Sequence, residues 1–198
     1  MERFSGYTII EDKTAGLLKV TLAPRQGDNR SYFLRNNLDG RFSKSEPSAA
    51  AKVVDAIAQS LPPAEEGEII LGFAEGSTLL AWSLAQTRGS LFVNSTKSQR
   101  SDELHRVEFT EDHRSTGTTH YIYSLKEGDK VVMLEDEIST AKTMLNAYHS
   151  LIDFGVGVVG IAVVVEILNF GAREKLKEET NLDLVSVCQI LLQQESRD

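Results

Sequence analysis

The residues whose types and spacing most suggest chemistry run from Val131 to Thr143, reading Val131-Val132-Met133-Leu134-Glu135-Asp136-Glu137-Ile138-Ser139-Thr140-Ala141-Lys142-Thr143. A run of apolar residues leads into adjacent carboxylates, Glu135 and Asp136, and a turn of small hydroxyl residues then opens a helical pattern. The acids would stand at a strand tip, with a helix N-terminus just beyond them. Such a terminus attracts anions through its N–H groups, and Ser139, Thr140 and Thr143 add hydroxyl donors, so phosphate is the expected ligand of 139–143. Carboxylates directly before a phosphate cradle would repel the phosphate unless they hold something else, such as sugar hydroxyls or a hydrated Mg2+. The pattern therefore points to a phosphorylated sugar. Its bland counterpart is a pair of solvated acids followed by an ordinary capped helix start.

A second turn, Ala74-Glu75-Gly76-Ser77, follows an apolar run over 68–73 and also precedes a helical pattern. Gly76 would let backbone approach a ligand closely, and Ser77 and Thr78 offer hydroxyls. His113 and His120 form the one close histidine pair, with Glu111 and Asp112 nearby, but no third His or Cys lies at metal-ligand spacing. Acid/base work or substrate contact is their functional reading, and a loop hydrogen bond the bland one. His105 and His149 carry no argued role. Cys188 is expected to be a buried small hydrophobe.

These turns need elements to hold them. Short β-type runs over 7–11, 17–22 and 31–34 suggest an antiparallel N-terminal lobe over 1–48, mildly basic through Arg25, Arg30, Arg35, Arg41 and Lys44 against Asp28 and Asp39. From residue 49 to 198 the pattern is that of a single core domain. Helical spacing runs from 45–48 to Pro62, and again over 78–86, 139–154 and 172–179; strands are expected over 68–73, 91–93, 130–134, 156–165 and 184–187. Trp82 and Leu84, on the second helix, are expected in the core. Residues 94–120 show little regular pattern before a β-like end, which in a compact domain marks a functional or mobile segment. Strands alternating with helices indicate an α/β fold with a doubly wound, mostly parallel sheet, whose ligands sit beyond the carboxyl ends of the strands. Two loops leave those ends, 74–77 and 135–143.

With 41% hydrophobic and 25% charged residues the chain of 198 can bury a core, so general disorder is excluded. Lys plus Arg number 21 against 29 Asp plus Glu, a net charge of −8, which argues against a duplex nucleic-acid or anionic-membrane binder. One cysteine allows no internal disulfide, and the N-terminus lacks a signal pattern, so a cytoplasmic location is expected. The longest apolar stretch, over 156–165, is about half of the roughly 20 residues a membrane helix needs.

The segment 131–143 resembles the phosphoribosyl-pyrophosphate motif of type I phosphoribosyltransferases, in which apolar residues precede two acids and a Thr-rich phosphate loop. It is most similar to the orotate-type version, because Ser139 stands where purine-base members usually carry Asp. Glu137 departs from the customary apolar residue, and Ala141-Lys142 from a small or glycine pair. The strings Gly72-Phe73-Ala74-Glu75-Gly76-Ser77-Thr78, Phe109-Thr110-Glu111-Asp112-His113-Arg114-Ser115-Thr116 with Thr119-His120-Tyr121, and Glu135-Asp136-Glu137-Ile138-Ser139-Thr140 resemble, in the same order, the phosphoribosyltransferase-like proteins of bacterial tellurite-resistance and stress gene clusters. Members often carry a further C-terminal domain, which a chain of this length is not expected to contain.

The resemblance implies the type I fold with 1–48 as a small hood completing a base pocket, where Phe33 or Phe42 would stack on a planar ring. It implies a Mg2+-dependent enzyme that displaces pyrophosphate from phosphoribosyl pyrophosphate with a nitrogenous base, through an oxocarbenium-like transition state. Glu135 and Asp136 would contact the ribose hydroxyls, with His113 the candidate acid/base group. Ser139, Thr140, Ala141, Lys142 and Thr143 would cradle the 5-phosphate, and Ala74, Glu75, Gly76 and Ser77 the pyrophosphate. Glu75 and Asp136 would serve the metal. Segment 94–120 would be the loop that closes over the reacting centre, with Lys97 and Arg100, and less so Arg106 and Arg114, neutralising the leaving group. A homodimer is also implied. The competing class is a non-catalytic phosphoribosyl or nucleotide sensor, which would bind ligand without releasing pyrophosphate.

Overall fold

The computed structural model describes residues 4–24, 32–38, 40, 43–103, 105–111 and 117–194, with the side chains of Pro24 and Phe33 left aside. Along the chain run β1 (Phe4–Asp12), β2 (Val20–Pro24), β3 (Tyr32–Asn36), α1 (Pro47–Ser60), β4 (Glu68–Gly72), α2 (Thr78–Arg88), β5 (Leu91–Asn94), β6 (Val107–Glu111), β7 (Thr118–Ile122), β8 (Lys130–Ile138), α3 (Lys142–Asp153), β9 (Gly157–Ile167), a 3-10 turn (Leu168–Phe170), α4 (Ala172–Thr180) and β10 (Leu184–Gln194). A six-stranded sheet in the order β1-β10-β9-β8-β4-β5 is parallel throughout except for β1, which pairs antiparallel with β10.

Both faces of this sheet are covered, which is why its central strands are apolar at nearly every position rather than at alternate ones. Ile70, Val132, Leu134 and Ala162 face Val53, Val54 and Ile57 of α1 and Leu80 and Leu84 of α2. Ile69, Leu71, Val131, Met133, Ile161 and Val163 face Met144, Leu145 and Leu151 of α3 and Leu176 of α4. The α/β, doubly wound, mostly parallel architecture is the expected one. Helix α1 carries Pro at its first turn, where no helical N–H is lost, and stops at Leu61 before Pro62 and Pro63. Ion pairs fasten two helices to strand ends: Arg88 of α2 grips Glu68 of β4 in a buried pair through two hydrogen bonds of 2.8 and 2.7 Å, and the half-exposed Arg173 of α4 grips the buried Glu166 of β9. Among the described residues no helix is long and apolar enough to cross a membrane.

Four expectations change. Strand β1 leaves the N-terminal lobe for the edge of the main sheet, and β10 runs on to Gln194 because its second half finds that partner: Tyr7 opposes Leu192 and Ile9 opposes Ile190. The hood as described is the β2–β3 hairpin alone. Segment 94–120 is not patternless. It contains the antiparallel β6–β7 hairpin, tied to β5 by a bridge between Thr96 and Tyr121. Strand β8 continues through Glu135 and Asp136 to Ile138, so α3 starts at Lys142 rather than 139. Trp82 is 52% exposed, because α2 turns Leu80, Ala81, Leu84 and Ala85 inward and leaves Leu79 and Trp82 outside that stripe. Its ring meets Phe92 edge-on at 5.4 Å. Leu84 and Cys188 are buried as expected. His105 packs on Phe154, and His149 lies 3.5 Å from Glu179.

Candidate active site

Strands β4 and β8 are parallel neighbours, with Gly72 opposite Leu134, so the loops leaving their carboxyl ends open side by side. The first loop is a tight turn. The Phe73 N–H donates to Ser77 Oγ at 2.7 Å, and that hydroxyl donates back to the Phe73 carbonyl at 2.8 Å. Ser77 is fully buried, so its side chain holds the turn closed rather than facing a ligand. Glu75, by contrast, is exposed, and the Ala74–Glu75 peptide is cis.

The two loops touch. A Cβ added at Gly76 would overlap the Asp136 carboxylate, so only glycine at this position lets Asp136 lie against the 74–77 turn. Glu135, one residue earlier, accepts the Asp136 N–H at 3.0 Å. Burial, the Asp136 carboxyl beside it and the charge of Glu111 hold the Glu135 carboxyl well above the usual range, against the smaller opposing pull of that N–H. A positive charge or hydroxyl donors set against this acid pair would favour the ionised form of Glu135.

Past the acids, Ile138 and Ser139 are buried and Ala141 takes φ +64° before α3 begins at Lys142. This left-handed step turns the chain from strand to helix, a conformation that glycine takes more readily than the alanine present. Residues 139–143 therefore wrap a helix N-terminus, with Lys142 exposed and Thr140 and Thr143 half-buried.

The β6–β7 hairpin closes one side. Its inward residues, Val107, Phe109 and Glu111, alternate with exposed Glu108 and Thr110. Lys97 Nζ sits 3.0 Å from Glu111 Oε2, and His120 Nε2 lies 3.2 Å from the same oxygen. His120 stacks on Phe109 and meets Ser95 Oγ at 2.9 Å through Nδ1, and the Ala74 N–H donates to that Ser95 hydroxyl at 3.0 Å. Arg100 is largely exposed, with Asp102 at 3.7 Å, and Arg106 is occupied by Glu108 at 2.7 Å. The structure thus brings together Ala74, Gly76, Ser77, Glu135, Asp136 and Lys97, and leaves Arg100 at the surface. His113, Arg114 and Phe42 lie outside the described residues.

Ser95, Glu111 and His120 form a connected group; the spacing had set Glu111 beside the His113–His120 pair, but it did not single out Ser95 or the link between the three. The signal was present in the alternation: Glu111 is in phase with Val107 and Phe109, and His120 with Ile122, so each is a polar residue at an inward strand position.

Oxygen donors suit Mg2+, an ion that takes one or two carboxylates and completes its shell with water and substrate phosphates. Among the described residues no three His, Cys, Asp or Glu side chains gather into a metal site.

The chain matches, over residues 19–193, the family described as phosphoribosyl transferase, and it belongs to that family of pentosyl-transferring enzymes. It is 28% identical over 171 residues to the hypoxanthine/guanine phosphoribosyltransferase of Methanopyrus kandleri, covering 85% of this chain and 88% of that one. A shorter match, 35% over 65 residues, covers 33% of this chain and 36% of the adenine phosphoribosyltransferase of Marinobacter nauticus. In fold it is similar to the adenine phosphoribosyltransferase of Trypanosoma brucei solved with AMP, pyrophosphate and ribose 5-phosphate, at TM-score 0.66 and 17% identity, covering 88% of this chain and 77% of that one. These relatives carry purine-base names, so the finer likeness to orotate-type and stress-cluster proteins rests on the sequence strings alone.

Proposed function

We propose that the chain transfers the phosphoribosyl group of phosphoribosyl pyrophosphate to a ring nitrogen of a purine base and releases pyrophosphate. The observation that carries this reading is the contact of Asp136 with Gly76, which sets an acid pair between two anion-type turns. A molecule with a phosphate at each end and hydroxyls between them matches that order. Residues 139–143 take the 5-phosphate, Glu135 and Asp136 the ribose hydroxyls, and 74–77 the pyrophosphate. The choice of a purine is supported by the names of the relatives.

In the reaction the bond from C1 to the pyrophosphate oxygen breaks, its electron pair leaving on that oxygen, and a nitrogen lone pair forms the new C1–N bond. The base nitrogen then gives up its proton to the departing pyrophosphate or to water. Positive charge grows on the sugar ring in the transition state, and Glu135 and Asp136 would stabilise it. Asp136 and Glu75 are the residues that would hold Mg2+, which when bound offsets charge on the departing pyrophosphate. Release of pyrophosphate from phosphoribosyl pyrophosphate and Mg2+ is the test, measured with adenine, hypoxanthine and guanine in turn. Base-dependent release with at least one of them is expected; binding of the sugar phosphate with no release for any base would contradict the proposal in favour of a sensor.

A further inference from the structure

We infer that His120 is a positioning residue: through Ser95 it fixes the Ala74 N–H of the 74–77 turn, and through Glu111 it seats Lys97 beside the same site. The inference rests on reading that turn as the pyrophosphate site. Four segments meet in one polar chain inside an otherwise apolar layer. Ala74 lies in the turn, Ser95 just past β5, His120 on β7 and Glu111 at the end of β6. Ser95 and His120 are each 1% exposed.

The direction of the chain follows from its donors. The Glu111 carboxylate, which also takes Lys97, can only accept, so Nε2 of His120 carries the donated N–H; in the neutral ring Nδ1 then accepts from the Ser95 hydroxyl, whose oxygen in turn accepts the Ala74 N–H. Lys97 closes the far end on that carboxylate. Here the ring joins the hairpin to the turn, and Phe109 stacks on its face to fix the ring plane, with the centroids 4.9 Å apart. The Ser95 backbone is held by its own N–H to the Gly72 carbonyl at 2.9 Å, so what His120 fixes is the direction of the Ser95 hydroxyl that accepts the Ala74 N–H. Lys97, half-exposed at the rim, is carried by the same link.

The test uses the full chain and three variants: Ser95→Ala, which deletes the acceptor of Ala74; His120→Phe, which keeps the stack on Phe109 but neither hydrogen bond; and His120→Gln, whose amide offers one acceptor and one donor. Pyrophosphate and ribose 5-phosphate are titrated separately by calorimetry, and amide hydrogen exchange is followed at Ala74. In Ser95→Ala and His120→Phe, pyrophosphate affinity should fall about tenfold while ribose 5-phosphate affinity stays within about twofold, because one loop loses a fixed donor and the other does not. Exchange at Ala74 should speed up in both variants, and His120→Gln should recover most of both effects. Unchanged pyrophosphate affinity with unchanged exchange would overturn the inference, as would an equal loss of both ligands, the mark of a merely structural role. If the parent chain binds neither ligand, the reading of the site fails, and exchange at Ala74 alone then decides whether His120 positions the turn.

Discussion

Gly76 and Glu135 show how single residues set this site. Gly76→Ala puts a methyl group into the Asp136 carboxylate, an overpacking that should cost about 1–3 kcal/mol of stability and weaken phosphoribosyl pyrophosphate binding together, as read by denaturant titration and calorimetry. A variant that binds as tightly as the parent would remove the reason for glycine there. Glu135 predicts a pH effect of definite sign. Its folded-state pKa lies above the ordinary value of 4.5, so the native state holds its proton more tightly than the unfolded chain. Its contribution is fully present below that ordinary value and is lost as pH rises through the raised one. Glu135→Gln should therefore melt higher than the parent at about pH 8 and gain nothing at about pH 4, while its transfer activity falls. Equal melting at both pH values would show that the carboxyl is not strained by its neighbours.

At the scale of elements, the end of the sheet opposite the site is held by charge. Glu68, at the start of β4, is buried, which alone would raise its pKa, yet hydrogen bonds from Arg88 and Ser90 and the Arg88 charge hold it below the ordinary range. This pair contributes stability at neutral pH that disappears as pH falls through the lowered pKa, the reverse of Glu135. Arg88→Met strands a buried carboxylate and should cost about 3–5 kcal/mol in unfolding free energy, with ligand affinity unchanged in the folded protein. A loss below about 1 kcal/mol would mean that Ser90 and solvent suffice. Elements with strong local pattern were legible: the strands around Ile70, Met133 and Val163 and the helices they alternate with. Pairings between distant segments were not. Nothing within β1 reveals that its partner is β10, and nothing in the acids themselves reveals that β8 carries them as a strand rather than a turn. For the same reason the motif residues 135–143 could be singled out from spacing, while the Ser95–His120–Glu111 chain, assembled from three segments, needed the fold.

Across the whole molecule the two ends of the sheet divide the work. The amino end of β4 is tied down by a buried ion pair, and the carboxyl ends of β4 and β8 lead into carboxylates, a left-handed Ala141 and a glycine kept bare for Asp136. The raised pKa of Glu135 sets its ionised form against folding at that end. The central claim is that this end takes phosphoribosyl pyrophosphate through its acid pair. The most direct test is calorimetric titration of the chain with phosphoribosyl pyrophosphate, with and without Mg2+, beside the Asp136→Asn variant. Binding should strengthen with Mg2+ and be lost in Asp136→Asn while the variant stays folded. Binding that Asp136→Asn leaves intact, or no binding by the parent chain under either condition, would contradict that claim.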